Sequence, residues 1–241
     1  MKLYVYCLAE GVDSLPLFPR GVSGARVRLV KLEGLSLVVS ACTGDVFHQF
    51  RKNGLAHNAV VRTVFKQTTP LPCRYGMIVT DKQLRNYIST HKQALRDNLA
   101  HVRGGAEMTL RITGPRPNAP SAFPGGQRKP VGQGTKFLLD KRKEIRGEEW
   151  LSAQKAELSA WLDEKLPGLI RDEKINLAPQ ERALLARVDH LVDRSSVEQY
   201  REKMGAAIQE RPEVRFMVSG PWPPYSFANI ELEFSRQFGV S

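Results

Sequence analysis

The chain has 241 residues, a formal net charge of +11 and 41% hydrophobic residues spread along its length. That suits one large domain or two small ones with real cores, and it excludes an intrinsically disordered chain. No apolar run approaches the ~20 residues of a membrane helix, so no membrane partner is expected. Three scattered cysteines, Cys7, Cys42 and Cys73, argue against disulfide scaffolding or zinc spacing. With no signal-peptide pattern at the start, they predict a reducing cytoplasm. The positive charge leaves nucleic acid, an anionic surface or an acidic protein open as partners.

The first predicted strand is "LYVYCL" (3–8). A Gly/Pro-rich loop follows, and then "ARVRLVKLEGLSLVVSA" (25–41) reads as a hairpin with Gly34 near its reversal. From Phe47 the period changes. Phe50, Gly54, His57, Val61, Val64 and Phe65 recur at spacings of three and four, which predicts a helix ending before Pro70 and Pro72. "CRYGMIV" (73–79) reads as a strand. Asp81 then reads as the cap of a helix whose buried face is Leu84, Ile88, His91, Leu95, Leu99 and Val102.

"EMTLRIT" (107–113) alternates, with Met108, Leu110 and Ile112 on one face and Glu107, Thr109, Arg111 and Thr113 on the other. The next stretch, 114–134, holds five prolines, five glycines and no acid, a composition that predicts a mobile loop. A long helix over 136–166 is expected next, stopped by Pro167 and Gly168. A strand follows over 183–194. Ser195 and Glu198 then match a capping box, opening a helix with Val197, Tyr200, Met204 and Ile208 on one side. "EVRFMVS" (213–219) is the last strand.

The fold class read from this order is α+β, as two small sandwiches. The N-terminal domain covers 1–104. The C-terminal domain, 105–241, is a modified ferredoxin-like fold with a long helix and a disordered insertion at about 114–134.

Catalytic chemistry finds no foothold. The five histidines form no metal-ligand spacing, and His57 and His91 lie on apolar helix faces as core residues. No nucleophile elbow is present, and "VGQGTK" (131–136) lacks the spacing of a phosphate loop. No enzyme activity, cofactor or metal is expected. "CRYGMIV" loosely echoes an RNA-recognition strand, but Tyr75 is its one aromatic residue. A basic ferredoxin-like RNA-binding module therefore stands as the alternative, and nucleic acid is not the partner expected.

"SGPWPPYSF" (219–227) sets three prolines among three rings. Pro221, Pro223 and Pro224 each fix a φ angle and restrict the residue before it. Trp222, Tyr225 and Phe227 thus have little conformational freedom left to lose. Such rings suit a contact surface for an apolar partner. They would equally suit a segment that folds back to seal its own core, and one ring could be buried while another is presented. Arg74 and Tyr75 face opposite ways if 73–79 is a strand, with Arg74 in an ion pair or a partner contact.

"LPCRYGMIV" (71–79), "HLVDRSSVEQYREKM" (190–204) and "SGPWPPYSFA" (219–228) together resemble the gas vesicle protein L/F family (GvpL/GvpF). The closing motif is the most specific of the three, and the likeness runs over nearly the full chain. The loop at 114–134 is longer and more basic than the family pattern. The resemblance implies a non-enzymatic, two-domain α+β protein with a ferredoxin-like C-terminal half. It implies an accessory protein or minor wall component that binds the hydrophobic gas vesicle shell protein, together with other accessory proteins, and assists assembly. Partner-binding residues are expected among Arg74, Tyr75, Trp222, Tyr225 and Phe227.

Overall fold

The first strand, β1 (Lys2–Ala9), is buried along seven of its eight residues, because both faces of its sheet are covered. The computed structural model describes residues 2–12, 19–42, 46–114, 152–177, 184–212 and 214–230. The expected loop at 114–134, apart from Gly114, and the first part of the expected helix over 136–166 lie outside these residues. Contacts divide the chain into two compact units. The first takes in 1–108, 191–197 and 220–241, and the second 109–190 and 198–219.

In the first unit, β2 (Val27–Leu32) and β3 (Leu35–Ala41) form the expected hairpin. Its turn residues Glu33 and Gly34 both have positive φ, the combination that matches the twist of a two-residue connection. The sheet order is β2-β3-β1-β4, and β5 also pairs with β1. β4 (Leu71–Pro72) lies antiparallel to Cys7 and Leu8, while β5 (Ile78–Thr80) lies antiparallel to Lys2–Tyr4.

The expected single strand over 73–79 is therefore two short pieces with a turn between them. The amide of Cys73 still donates to the Tyr6 carbonyl at 2.8 Å, and that of Val5 to the Met77 carbonyl at 2.9 Å. At Gly76 φ is +90°, so the stretch leaves the sheet there. A bulge between Val5 and Cys7 shifts the β1 register. It places the consecutive residues Tyr6 and Cys7 in the same core, against strict alternation.

Helix α1 (Phe50–Phe65) covers one face with His57, Val60, Val61 and Val64. Phe50, expected on that apolar face, is 63% exposed. It stands beyond the last turn that reaches the core and meets the edge of the Tyr75 ring at 5.1 Å instead. Helix α2 (Asp81–Val102) covers the other face with Leu84, Ile88, Leu95, Leu99 and Val102. Its cap is Thr80, one residue before the Asp81 expected. The Thr80 hydroxyl accepts from the Gln83 amide and the Gln83 side chain accepts from the Thr80 amide, a reciprocal capping box. His91 departs from expectation: it is exposed, at a kink (φ −107°, ψ 15°) that takes it out of the apolar stripe. Its ring packs on Tyr87 instead, at 4.5 Å.

The second sheet has the order β7-β8-β6-β9. Its strands are β6 (Gly105–Thr113), β7 (Ile170–Leu177), β8 (Leu184–Asp193) and β9 (Arg215–Trp222). Residues 105–108, 191–193 and 220–222 of these strands count with the first unit. Within the described residues helix α3 covers 152–165, and α4 is Val197–Ile208. Chain order is thus β-α-β-β-α-β, the succession of a ferredoxin-like half.

β7 is not among the strands expected above, because "IRDEKINL" shows no clean period. It is an end strand in the sheet order, and charge is how exposed edges avoid mispairing. Ser195 sits within a 3-10 turn (Arg194–Ser196), without the expected capping bond, and Glu198 instead pairs with Arg201 at 2.6 Å. In the second unit, buried His190 shares hydrogen bonds with Tyr200 (2.8 Å) and Glu173 (3.0 Å).

Candidate functional site

The proline-rich segment continues β9 before it turns. The strand runs to Trp222, three residues beyond the expected end at 219. Gly220 makes this possible. Its φ is +124°, and a Cβ there would lie 2.7 Å from the Glu107 carbonyl oxygen. Beyond Trp222 the chain turns tightly: the Tyr225 amide donates to the Pro223 carbonyl (2.8 Å) and the Phe227 amide to that of Pro224 (3.2 Å). Prolines at 223 and 224 fix φ through this turn and are themselves buried.

Two side chains from elsewhere in the first unit hold the turn. Glu107 on β6 is 2% exposed. Its carboxylate accepts the Ser226 amide at 2.6 Å and the Ser226 hydroxyl at 3.0 Å. Asn98 on α2 donates its amide to the Phe227 carbonyl (2.9 Å) and accepts from the Asn229 amide (2.9 Å). That pairing reproduces one rung of a β-ladder with a side chain. The alternation rule places Glu107 on the polar face of its strand, which hides its role. An acid among Ala106, Met108 and Leu110 is the available signal.

The three rings take different environments. Phe227 is 1% exposed and joins the core of Leu3, Leu37, Leu84 and Leu99. Tyr225 is half-buried against the other core, and its hydroxyl donates to Asn58 Oδ1 on α1 at 3.1 Å. Burial pushes its hydroxyl well above the usual phenol range. Trp222 is 37% exposed, with the Arg62 guanidinium 5.6 Å above its ring.

Tyr75 is half-buried, donates its hydroxyl to the Val46 carbonyl and meets the edges of Phe47 and Phe50. Arg74 is exposed and forms no ion pair among the described residues. Tyr75 and Tyr225 thus border one core, with the His57 ring 6.0 and 6.3 Å from them, and Arg74 and Phe227 lie apart from that group.

His57 is a core histidine, as expected. The Gly76 amide donates to the Tyr4 hydroxyl oxygen (3.0 Å), which leaves that hydroxyl's proton for His57 Nδ1 at 2.9 Å. Burial lowers its pKa to about 4, with the Cys73 backbone acting the other way. The imidazole is therefore neutral at pH 7. Among the described residues no three His, Cys, Asp or Glu side chains gather as a metal site would require. No helix of the described residues is long and apolar enough to cross a membrane.

This architecture is that of the solved gas vesicle GvpF proteins. The crystal structure of GvpF from Microcystis aeruginosa superposes with a TM-score of 0.70 at 18% identity, covering 95% of this chain and 99% of that one. GvpF from Anabaena sp. PCC7120 gives 0.67 at 15%, over 97% and 98%.

The sequence narrows the match. The family model of the gas vesicle synthesis proteins GvpL/GvpF covers residues 2–229, and the chain belongs to this family. Gas vesicle protein F1 of Halobacterium salinarum is 28% identical over 243 residues, covering 99% of this chain and 98% of that protein. Gas vesicle protein L1 of the same organism is 26% identical over 256 residues, covering 93% and 89%. The protein is thus a gas vesicle accessory protein.

Proposed function

We propose that the protein acts by binding alone. It holds the hydrophobic gas vesicle shell protein in the cytoplasm and, with other accessory proteins, helps start the wall, using no cofactor and no reaction centre. The observation that carries this reading is the division of labour within 219–227. Phe227 is locked in a core, while Trp222, at the end of β9, is held at the surface on a proline-stiffened backbone. A ring presented with its conformational entropy already spent contributes more of its burial to affinity. Tyr75 and Tyr225 are half-buried around His57 and would add contact at their open edges, and Arg74 is exposed to add a charged contact. The RNA-binding alternative leans on a strand over 73–79, and the turn at Gly76 removes that support.

The test is co-expression with the shell protein. The shell protein is expected to stay soluble and co-purify with the wild-type chain. Trp222→Ala should weaken co-purification at a smaller cost in stability than Phe227→Ala, since its ring is 37% exposed. Phe227→Ala should lower stability by about 3–5 kcal/mol, as for other buried aromatic truncations. Full retention of the shell protein by a folded Trp222→Ala chain would remove the contact-surface reading.

A further inference from the structure

The outward face of α1 has no role in the assembly described so far. From Phe50 to Lys66 the chain carries Arg51, Lys52, Arg62 and Lys66 and no acid. All four are exposed, and among the described residues none pairs with a carboxylate. At 100° per residue, Arg51, Leu55, Ala59, Arg62 and Lys66 fall within an arc of about 80°. Leu55, at the middle of that arc, is 65% exposed. A lone surface leucine is ordinary, but this one has company. Trp222, 37% exposed, lies beside Arg62 at one end of the arc, while Phe47 and Phe50 pack on Tyr75 at the helix start, Phe50 about 140° around the helix from Leu55.

We infer that this face docks an acidic amphipathic helix of a partner protein. An aliphatic stripe at i, i+3, i+4 and i+7 would cover Leu55, and the small Ala59 would let the two helices approach closely. Glutamates or aspartates flanking the stripe would meet Arg51, Lys52 and Lys66, and the like-signed rim rejects basic helices. Single-stranded nucleic acid fits less well. It wants rings spaced for successive bases, whereas here the rings stand at the two ends and the centre is aliphatic. The inference rests on the assembly reading only for the source of such a helix. Its chemistry stands on α1.

The test uses the full chain and fluorescence anisotropy. The probes are a labelled helical peptide of about 18 residues with leucines at i, i+3, i+4 and i+7 and glutamates elsewhere, the same peptide with lysines, and a single-stranded RNA of about 20 nucleotides. The glutamate helix should bind at least about tenfold tighter than the lysine helix. Leu55→Ser and the double variant Arg51→Glu/Lys66→Glu should each weaken it by about tenfold or more, with unchanged thermal melts, since all three side chains are exposed. Absent or charge-independent binding of the helix overturns the inference, as does indifference to these substitutions. Tighter binding of RNA, lost in the Arg51→Glu/Lys66→Glu chain, would assign the face to nucleic acid instead. If the peptide fails while the shell protein still co-purifies with the wild-type chain, only the docking inference falls. If the peptide binds and the shell protein does not co-purify, the assembly reading falls alone.

Discussion

Removing the carboxylate of Glu107 tests whether the C-terminal turn is pinned where the structure puts it. The Glu107 carboxylate accepts two charge-assisted hydrogen bonds from Ser226, at 2.6 and 3.0 Å, in a site 2% exposed. Hydrogen bonds to a charged group contribute about 1.5–3 kcal/mol each, and part of that offsets the cost of burying the carboxylate. Glu107→Gln keeps one acceptor and turns an NH2 toward a donor, so about 2 kcal/mol of stability should be lost. Ser226→Ala loses the hydroxyl bond but keeps the amide bond, and should cost about 1 kcal/mol. Because the two residues touch, the double variant should lose less than the two single losses added, with a coupling of at least about 0.5 kcal/mol.

Urea unfolding of the four chains, followed by the tryptophan signal, measures these values. For a chain of this size a loss of about 2 kcal/mol corresponds to a melting shift of roughly 4–8 °C. Limited chymotrypsin digestion gives an independent readout, since Tyr225 and Phe227 become accessible if the turn is released. Strictly additive losses, or a Glu107→Gln chain within experimental error of wild type and equally protected, would mean that Glu107 does not pin the turn.

Three further outcomes are expected. The folded-state pKa of His57 is about 4 against 6.5 for a free imidazole, so between these values the unfolded chain binds the proton and the folded chain does not. The stability tied to this group is complete above about pH 6.5 and falls as pH drops to about 4, by roughly 3 kcal/mol in all. His57→Gln should remove that component from a plot of urea midpoint against pH. Gly220→Ala should cost more than about 2 kcal/mol, since it combines a φ of +124° with a Cβ 2.7 Å from a backbone oxygen, and thermal melting reads it directly. Asn98→Ala should cost about 1–3 kcal/mol by leaving the Phe227 carbonyl and Asn229 amide without their side-chain partner, measurable in the same melts.

Where a local rule and a burial pattern agree, the sequence is legible. The β2–β3 hairpin can be read because Glu33-Gly34 interrupts two alternating runs, and α2 because its apolar residues keep a helical period except at the kinked His91. β7 is not legible, since an end strand needs no apolar alternation and carries charge instead. The stretch 73–79 has strand-like residues, but β1 pairs with only its flanks, a tertiary choice that local propensity cannot reveal. Of the candidate site, the aromatic residues are visible in "PWPPYSF" and their fates are not. Phe227, Tyr225 and Trp222 differ in burial because Glu107 and Asn98, more than a hundred residues earlier, fix the turn that aims them.

The placement of Phe227 also bears on how the chain is made. Its ring sits in the same cluster as Leu3, Leu37 and Leu84. A ribosome must therefore synthesise the whole stretch from Leu3 to Phe227 before β1 can finish its packing. Such long-separation pairing slows folding and leaves apolar surface open meanwhile. A nascent chain interrupted before residue 227 would expose an unfilled gap beside β1, a state that proteases and chaperones can recognise.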